Sequence, residues 1–173
     1  MQVSLIAAIS ADGFIAKDSV QPSFEWTSPE DKQFYVNFIK KTKFVIMGSK
    51  SFSTFTKYPK GLTFVIYTSR PEKFVNPKPW VIETIATKAG PKQLLEELAD
   101  KGCTEVAICG GASIYTMFMK SGLVNRIYLT MEPVFFGSGV KLFGEKTDIK
   151  VRLSKIHNLS DQTKVMEYEV LKT

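Results

Sequence analysis

Histidine and cysteine are scarce in this chain of 173 residues, which has one histidine and two cysteines. Cys103 and Cys109 give neither a disulfide framework nor the spacing of a metal site. One histidine adds too few ligands for a transition-metal site. We therefore expect no metal, and a reducing cytoplasm is the expected compartment. If the protein transfers protons, a carboxylate is a better candidate than the usual histidine.

Long apolar runs and clusters of basic residues are also missing. The apolar stretches are too short to span a bilayer, and "MQVSLIAAIS" lacks the basic segment of a signal peptide, so no membrane association is expected. The formal charge is +6, but the lysines are scattered, which argues against nucleic-acid binding. The positive charge forms either an ordinary solvated surface or an attraction for a phosphorylated small molecule.

Strand-like and helix-like patterns alternate along most of the chain. They predict helices at 29–41, 49–55, 90–101 and 112–120, and strands at 3–10, 43–48, 62–69, 80–85, 105–111, 125–133, 148–157 and 164–172. This alternation predicts an α/β fold with a mostly parallel sheet and helices on both faces. The last two strands alternate apolar and polar residues, which predicts an antiparallel edge hairpin. The length suits a single domain, residues 1–173.

Two strand-to-helix junctions have the chemistry to hold phosphate groups. Each follows a buried strand and opens a helix, where glycines allow close approach and free amide groups favour an anion. Their candidate residues are Gly48, Ser49, Lys50 and Ser51 in "VIMGSKSFS", and Gly110, Gly111, Ala112, Ser113 and Ile114 in "AICGGASIY".

A third candidate phosphate site is "IYTSRP", where Thr68, Ser69 and Arg70 follow another strand. None of the three is a complete phosphate-binding fingerprint, so two tight turns with capping serines remain the alternative interpretation. Together they fit an elongated dinucleotide such as NADPH, with its 2′-phosphate held at the third site.

The stretch "EWTSPED" holds three acids, Glu25, Glu30 and Asp31. Ser28 followed by proline predicts a helix start, and an acid at the third helical position is also typical of a capping box. A capping role is therefore one interpretation of Asp31.

Helical geometry separates these acids. Asp31 lies three, four and seven positions before Phe34, Tyr35 and Phe38, so it falls on the apolar face, whereas Glu30 lies off its centre. A carboxylate there is unfavourable unless it has a partner or a function. Partial burial would raise its pKa, which suits a proton donor or the binding of a protonated heterocycle.

Taken in order, these motifs resemble the dihydrofolate reductase superfamily, which includes the reductase domain of riboflavin biosynthesis. The resemblance covers nearly the whole chain and rests on "SLIAAISADGFIA", "WTSPED", "VIMGSKSF", "VIYTSR", "AICGGASIY" and "RIYLT". It implies a dihydrofolate-reductase-like fold with a central eight-stranded sheet and about four helices, and NADPH as hydride donor.

The resemblance implies reduction of 7,8-dihydrofolate to tetrahydrofolate, with hydride transfer to pterin C6 and protonation of N5 promoted by Asp31. It also implies a mobile lid over about 11–26 and a cis peptide between Gly110 and Gly111. The implied substrate-binding residues are Ile6, Ala8, Asp31, Tyr35, Thr54, Phe55 and Thr130. To the three phosphate sites it adds as cofactor-binding residues Ala8, Ile15, Cys109 and Tyr115.

The chain also departs from the family pattern. Ser49 replaces the usual basic residue after "MG", for which Lys50 or Arg70 can substitute, and Leu62 replaces the arginine that holds the folate carboxylate. "DGFIA" followed by "EWTS" favours the riboflavin branch.

Three functions therefore stay open. They are a divergent dihydrofolate reductase, a reductase of a ribosylated diaminopyrimidine phosphate that uses Lys57 and Lys60 at the pocket mouth, and a non-catalytic nucleotide-binding module. The expected partner is a small pterin or pyrimidine, and the protein is expected to be a monomer or homodimer. We interpret His157 as a surface residue.

Overall fold

The computed structural model describes residues 1–171, which form an eight-stranded sheet with helices on both faces. Its strands are β1 (Gln2–Ser10), β3 (Phe44–Gly48), β4 (Thr63–Tyr67), β5 (Glu83–Thr87), β6 (Glu105–Ile108), β7 (Arg126–Glu132), β9 (Val151–Asn158) and β10 (Lys164–Val170), and a separate pair is formed by β2 (Phe14–Ala16) and β8 (Val140–Lys141). The strand order is β5-β4-β3-β6-β1-β7-β10-β9. The first six of these are parallel, and β10 and β9 run antiparallel at the edge, as the sequence predicts.

Four helices cover the sheet: α1 (Pro29–Thr42), α2 (Ser49–Phe52), α3 (Pro91–Asp100) and α4 (Ala112–Lys120). Ile39 of α1 packs with Val45, Phe64 and Phe52 on one face of the sheet. The other face carries α3 and α4, whose buried side chains include Leu94, Leu95, Leu98, Ile114 and Phe118. Both cores are apolar, which confirms the predicted α/β arrangement with helices on both faces.

Strand β1 lies between β6 and β7 in the centre of the sheet. The chain adds β3, β4, β5 and β6 on one side of β1 and β7, β9 and β10 on the other side. Ligands of open α/β sheets bind at the carboxyl ends of strands where the strand order changes direction. The carboxyl ends of β1, β3 and β6 therefore mark the expected binding region.

Several predicted bounds differ from the structure: the helix predicted at 49–55 ends at Phe52, and the strand predicted at 105–111 ends at Ile108. The predicted strand at 80–85 begins instead at Glu83, and Trp80 is 96% exposed. The amides of Val81 and Ile82 bond to the carbonyl of Lys78, so residues 78–82 form a turn in a segment where prolines lack the amide proton that a strand ladder needs. The last predicted strand ends at Val170, and residue 172 lies outside the described residues.

His157 is more buried than expected for a surface residue. Its side chain is 25% exposed, and its Nε2 lies 2.8 Å from the carboxylate of Glu167. The ring packs against Phe34 and Tyr128, because the edge strand β9 still lies partly under α1. No helix within residues 1–171 has the length and apolar character needed to cross a membrane.

Candidate active site

A cavity of about 330 Å³ lies at the carboxyl ends of β1, β3 and β6. Its floor is made by strand ends and the start of α1, and its roof by the segment that follows β1. Of the sequence-predicted site residues, it is lined by Ile6, Ala8, Ile15, Asp31, Tyr35, Gly48, Lys50, Ser51, Thr54, Phe55, Cys109, Gly110, Gly111, Ala112, Ser113 and Tyr115. The fold thus brings together residues from five separate parts of the sequence, 6–8, 15, 31–35, 48–55 and 109–115.

Asp31 lies on the floor of this cavity and is 8% exposed, whereas Glu25 and Glu30 are exposed. Ser28 caps α1 by accepting a hydrogen bond from the Asp31 amide at 3.1 Å. The helix therefore begins where predicted, and the cap is made by Ser28 while the Asp31 carboxyl group faces the cavity.

Burial raises the pKa of Asp31, and the negative charge of Glu132 raises it further. The hydroxyl groups of Thr130 and Thr27 and the charge of Lys32 act in the opposite direction. The Thr130 hydroxyl is buried without a hydrogen bond of normal geometry to another protein group, so it lies near the Asp31 carboxyl group without a firm bond to it. A buried acid with a raised pKa at the bottom of a cavity is suited to proton transfer.

Two phenols and a thiol complete the floor. The hydroxyl of Tyr115 donates a 2.7 Å hydrogen bond to the carbonyl of Ile6, which joins α4 to β1. Burial raises the pKa of Tyr35 and of Tyr115 well above the usual range, and it raises the pKa of the Cys109 thiol to about 12. All three groups are therefore neutral at physiological pH, and Cys109 is not a thiolate nucleophile.

The two glycine junctions meet at one edge of the cavity. The amide of Gly48 donates to the carbonyl of Gly110 at 2.8 Å, and the peptide between Gly110 and Gly111 is cis, as the resemblance implies. Gly110 has φ +95°, and a Cβ atom there would lie 2.9 Å from the ring of Tyr115. Gly110 therefore has no room for a side chain, whereas a Cβ at Gly111 would lie 3.1 Å from the hydroxyl of Ser51, which would have to move slightly.

Other predicted site residues do not line the cavity. These are Ser49, Thr68, Ser69, Arg70, Ile114 and Thr130. Thr130 and Ile114 are buried behind its wall, whereas Ser69 and Arg70 are exposed beyond the end of β4. The placement of a 2′-phosphate at Thr68, Ser69 and Arg70 stays a prediction.

The roof of the cavity is the segment predicted as a lid. Its base is held by Asp12, whose carboxylate accepts hydrogen bonds from Ser10 Oγ at 2.6 Å and from the amides of Phe136 and Gly137 at 3.1 and 2.7 Å. The hydrogen bond from Ser10 lowers the pKa of Asp12, and the bonds from Gly137 and Phe136 act in the same direction. Beyond this anchor, strand β2 pairs with β8, and residues 18–24 cross over the cavity.

A second groove, of about 790 Å³, adjoins the cavity between α1 and residues 55–60. It shares Phe24, Tyr35 and Phe55 with the cavity wall. The groove carries four basic side chains, Lys32, Lys40, Lys57 and Lys60. Leu62, which takes the place of the family arginine, is 2% exposed in the core and does not reach it.

Two residues of this region were not identified from the sequence. Glu132 is 3% exposed and lies close enough to Asp31 to affect its pKa, and Asp12 anchors the roof. Each has partners more than a hundred residues away: Ser28 for Glu132, and Phe136 and Gly137 for Asp12. The alternation of "YLTME" places Thr130 and Glu132 on one face of a strand, which is the one local signal for Glu132.

Residues 2–165 match the model of the family described as RibD C-terminal domain. The chain belongs to this family. Among curated relatives of this RibD C-terminal domain protein is the uncharacterized protein YwjB of Bacillus subtilis, 28% identical over 162 residues that cover 86% of this chain and 87% of the relative. Dihydrofolate reductase type 3 of Salmonella typhimurium is 28% identical over 130 residues, covering 75% of this chain and 71% of that enzyme.

A solved structure with the same fold is the diaminohydroxyphosphoribosylaminopyrimidine deaminase/5-amino-6-(5-phosphoribosylamino)uracil reductase of Thermotoga maritima. It superposes with a TM-score of 0.79 at 16% identity, over 98% of this chain and 56% of that one. At this identity the likeness establishes the fold alone, and our chain corresponds to little more than half of the bifunctional protein.

Family membership confirms the predicted cofactor, NADPH, and the coarser prediction of an NADPH-dependent oxidoreductase. The site has features that fit this cofactor. Gly48, Gly110 and Gly111 leave the backbone open at one edge of the cavity, and Lys50, Ser51 and the first-turn amides of α4 supply donors for phosphate oxygens. These are the residues that would hold NADPH in this RibD C-terminal domain protein.

Proposed function

We propose that the protein uses NADPH to reduce a phosphoribosylaminopyrimidine of the kind that occurs in riboflavin biosynthesis. One observation carries the proposal: the cavity that holds the buried acid Asp31 shares the wall residues Phe24, Tyr35 and Phe55 with a groove lined by four lysines. This arrangement suits a substrate that carries a flat ring, a reducible C=N or C=O bond near Asp31 and a phosphate at its far end.

The acid and the cavity fit the chemistry of a reductase. Reduction of a C=N or C=O bond adds a hydride to carbon and a proton to the nitrogen or oxygen, and NADPH supplies the hydride when it is bound. Asp31 binds a proton more tightly at the floor than an exposed aspartate does, because burial raises its pKa. Residues 18–24 form the roof. Closure of this roof over a bound substrate would exclude water from the floor and strengthen the electrostatic interactions there.

The groove fits an anionic tail better than a neutral one. Lys40, Lys57 and Lys60 are exposed around an apolar strip that includes Tyr35 and Phe55. Lys57 and Lys60 lie in a stretch of the chain, residues 49–70, that has no acidic residue. No carboxylate near them in the sequence therefore competes with a phosphate. The lysines surround a concave space the size of a small molecule, which distinguishes this groove from the extended basic surface of a nucleic-acid-binding protein.

Dihydrofolate is the second candidate substrate, favoured by Asp31 on α1, by Thr130 beside it and by the similarity to dihydrofolate reductase type 3. Its glutamate carboxylates are also anionic and would suit the same lysines. Against it stands Leu62, which is buried in the core at the position of the arginine that holds the folate carboxylate in the family.

NADPH oxidation with 5-amino-6-(5-phosphoribosylamino)uracil and with dihydrofolate, measured side by side, tests the proposal. We expect turnover of the pyrimidine and much weaker turnover of dihydrofolate. Turnover of dihydrofolate alone would make the second candidate correct, and turnover of neither would contradict both. Replacing Lys57 and Lys60 together with glutamine should raise KM for the phosphorylated substrate and leave KM for NADPH unchanged.

Asp31→Asn tests the role of the acid in the same assay. We expect kcat to fall about 100-fold to 10,000-fold, the usual contribution of general acid catalysis, while the dissociation constant for NADPH changes little. The matched control is Glu30→Gln, which removes the neighbouring exposed acid from the same helical turn and should leave kcat unchanged. Full activity of Asp31→Asn would mean that another group donates the proton. NADPH binding without turnover of either substrate, in the native protein as in the variant, would favour a non-catalytic nucleotide-binding module.

A further inference from the structure

Glu132, at the end of β7, is a buried acid without a cationic partner. It is 3% exposed, and within residues 1–171 no lysine, arginine or histidine nitrogen comes within ion-pair distance of it. A buried carboxylate is unfavourable unless hydrogen bonds replace its water shell. The burial of Glu132 therefore requires a set of hydrogen bonds and indicates a role other than core packing.

Three hydrogen bonds hold the Glu132 carboxylate, and two of them come from one residue. The amide and the hydroxyl of Ser28 both donate to Glu132 Oε1 at 2.8 Å. The hydroxyl of Thr163 donates to Oε2 at 3.1 Å. The carboxylate thus connects the end of β7, the start of α1 and the turn before β10.

Ser28 links Glu132 to Asp31. The single proton of the Ser28 hydroxyl points to Glu132, which leaves its lone pairs to accept the amide of Asp31 at 3.1 Å. A row of hydrogen bonds therefore runs from the Asp31 amide through Ser28 to Glu132. Because the bonds to the carboxylate are charge-assisted, they fix the first turn of α1 more firmly than a neutral partner would.

Thr130 and Glu132 act on the same acid from one face of β7. They are two residues apart on the strand, so both side chains point towards the start of α1. Thr130 lies by the Asp31 carboxyl group, and Glu132 holds the backbone that carries it. The sheet thereby sets the position of Asp31 through two neighbouring strand residues.

The charge of Glu132 also acts on the titration of Asp31. The groups around Asp31 are the hydroxyls of Thr130 and Thr27, the phenols of Tyr35 and Tyr115, the cation of Lys32 and the carboxylate of Glu132. Of these, Glu132 disfavours the ionised form of Asp31, and Lys32 and the two threonines favour it. Both phenols are neutral at physiological pH, since burial raises their pKa values well above 10.

We propose that Glu132 is a positioning residue for the proton donor Asp31: it anchors the start of α1 through Ser28 and places a second negative charge behind the Asp31 carboxyl group. This inference rests on the proposed function, in which Asp31 supplies a proton. Two separable consequences follow, one for the geometry of the helix start and one for the pH at which Asp31 gives up its proton.

Glu132→Gln tests the charge. The glutamine keeps an oxygen that can accept both bonds from Ser28, but it carries no charge. We expect the titration midpoint of the Asp31 carboxyl carbon, followed by NMR in the free protein, to fall by about half a pH unit or more. The alkaline decline of kcat/KM for the substrate should shift to lower pH by the same amount. A side chain with a purely structural role would lower the rate without moving either midpoint.

Glu132→Asp and Ser28→Ala test the anchor. The aspartate keeps the charge but is one methylene too short to reach Ser28 and Thr163 together, so the Asp31 midpoint should stay high while amide exchange in the first turn of α1 accelerates. Ser28→Ala should accelerate the same amides. Glu145→Gln, at an exposed acid paired with Lys120, is the control and should change none of these readouts.

The outcomes decide the inference independently of substrate identity. An unchanged Asp31 midpoint in folded Glu132→Gln overturns the charge component, and unchanged first-turn exchange in Glu132→Asp and Ser28→Ala overturns the anchor. If Glu132→Gln does not fold, an Asp31 midpoint in Glu132→Asp that drops to the ordinary aspartate range overturns the proposal. Because NMR titration and exchange use the free protein, they remain decisive even if the protein turns over neither substrate.

Discussion

The floor and the roof of the cavity are built in different ways. The floor consists of strand ends and helix starts whose side chains are buried, and Gly110 and Tyr115 pack there without space for another atom. The roof consists of a short two-stranded pair and an irregular segment, and one partly buried anchor, Asp12, holds its base by hydrogen bonds. Packing fixes the position of the acid, whereas a few polar bonds fix the cover above it.

This difference separates two requirements of a reductase. A proton donor must stay in one place and keep an unusual pKa, which needs a rigid, dry environment. A cover must open for substrate and product, which needs a segment of low local stability. Changes to the floor should therefore affect the whole molecule, and changes to the roof should stay local.

The largest effect is expected from Gly110→Ala. A Cβ atom would lie 2.9 Å from the Tyr115 ring at a residue with φ +95°. Overpacking of this kind costs about 1 to 3 kcal/mol, in addition to the strain of a positive φ. The control is Gly102→Ala, since Gly102 has φ +80° but nothing within 4 Å of its Cβ position.

We expect Tm of Gly110→Ala to lie roughly 3 to 10 °C below that of Gly102→Ala in a thermal melt. Equal melting temperatures would mean that the floor can rearrange around Tyr115 and is less rigid than its packing indicates.

A smaller, pH-dependent effect is expected from Asp31→Asn. Asp31 binds its proton more tightly in the folded chain than in the unfolded chain, because burial raises its pKa. The free energy of unfolding of the native protein therefore falls as pH rises from the ordinary aspartate range through the raised pKa of Asp31. The asparagine variant does not have this loss, so it should be more stable at neutral pH.

Thermal melts across pH check this expectation. Tm of Asp31→Asn should exceed that of the native protein at pH 7 by roughly 2 to 4 °C for each 1 kcal/mol regained. The difference should vanish below about pH 4, the ordinary aspartate range. A lower Tm at pH 7 would show that the ionised carboxylate is well solvated and would contradict the dry floor.

The smallest global effect is expected from Asp12→Ala in the roof. The variant removes the acceptor for the amides of Phe136 and Gly137, so their hydrogen exchange should accelerate about fivefold or more. Amides of β1 and β6 should keep their protection. In the native protein the same amides should lose protection as pH falls through the lowered pKa of Asp12, since the charged form makes these bonds.

Asp18→Ala is the matched control, because Asp18 accepts bonds from Val20 and Gln21 within the roof but does not hold its base. A large fall in Tm for Asp12→Ala would contradict the local character of the roof.

Local patterns were sufficient to predict that Asp31, and neither Glu25 nor Glu30, lies on the inner face of α1. Ser28 and proline mark the helix start, and the spacing to Phe34, Tyr35 and Phe38 places Asp31 on the inner face, because helical periodicity depends on neighbours within seven positions. The alternation of strands and helices predicted the parallel sheet, and the alternation of apolar and polar residues in the last two strands predicted the antiparallel edge hairpin.

Glu132 and Asp12 could not be predicted in this way. The bond between Ser28 and Glu132 spans 104 positions, and the bonds from Asp12 to Phe136 and Gly137 span 124 and 125. Sequence periodicity contains no information about which distant residues the topology brings together. At Trp80 the local pattern was misleading, because the apolar run that begins there predicted a strand. The side chain of Asn76 instead bonds to Lys78 and Ile82 and holds a turn, which leaves Trp80 exposed.

The lysine groove lies on the outer side of α1 and on residues 55–60, apart from the glycines at the other end of the cavity. Lys40, Lys57 and Lys60 are exposed, and exposed positions tolerate substitution with little loss of stability. Under the proposed function, selection can therefore alter which anionic tail the protein accepts while the proton donor and the cofactor end stay unchanged. A binding site with one constant part, the cavity, and one variable part, the groove, allows the same fold to acquire new substrates by a few surface substitutions.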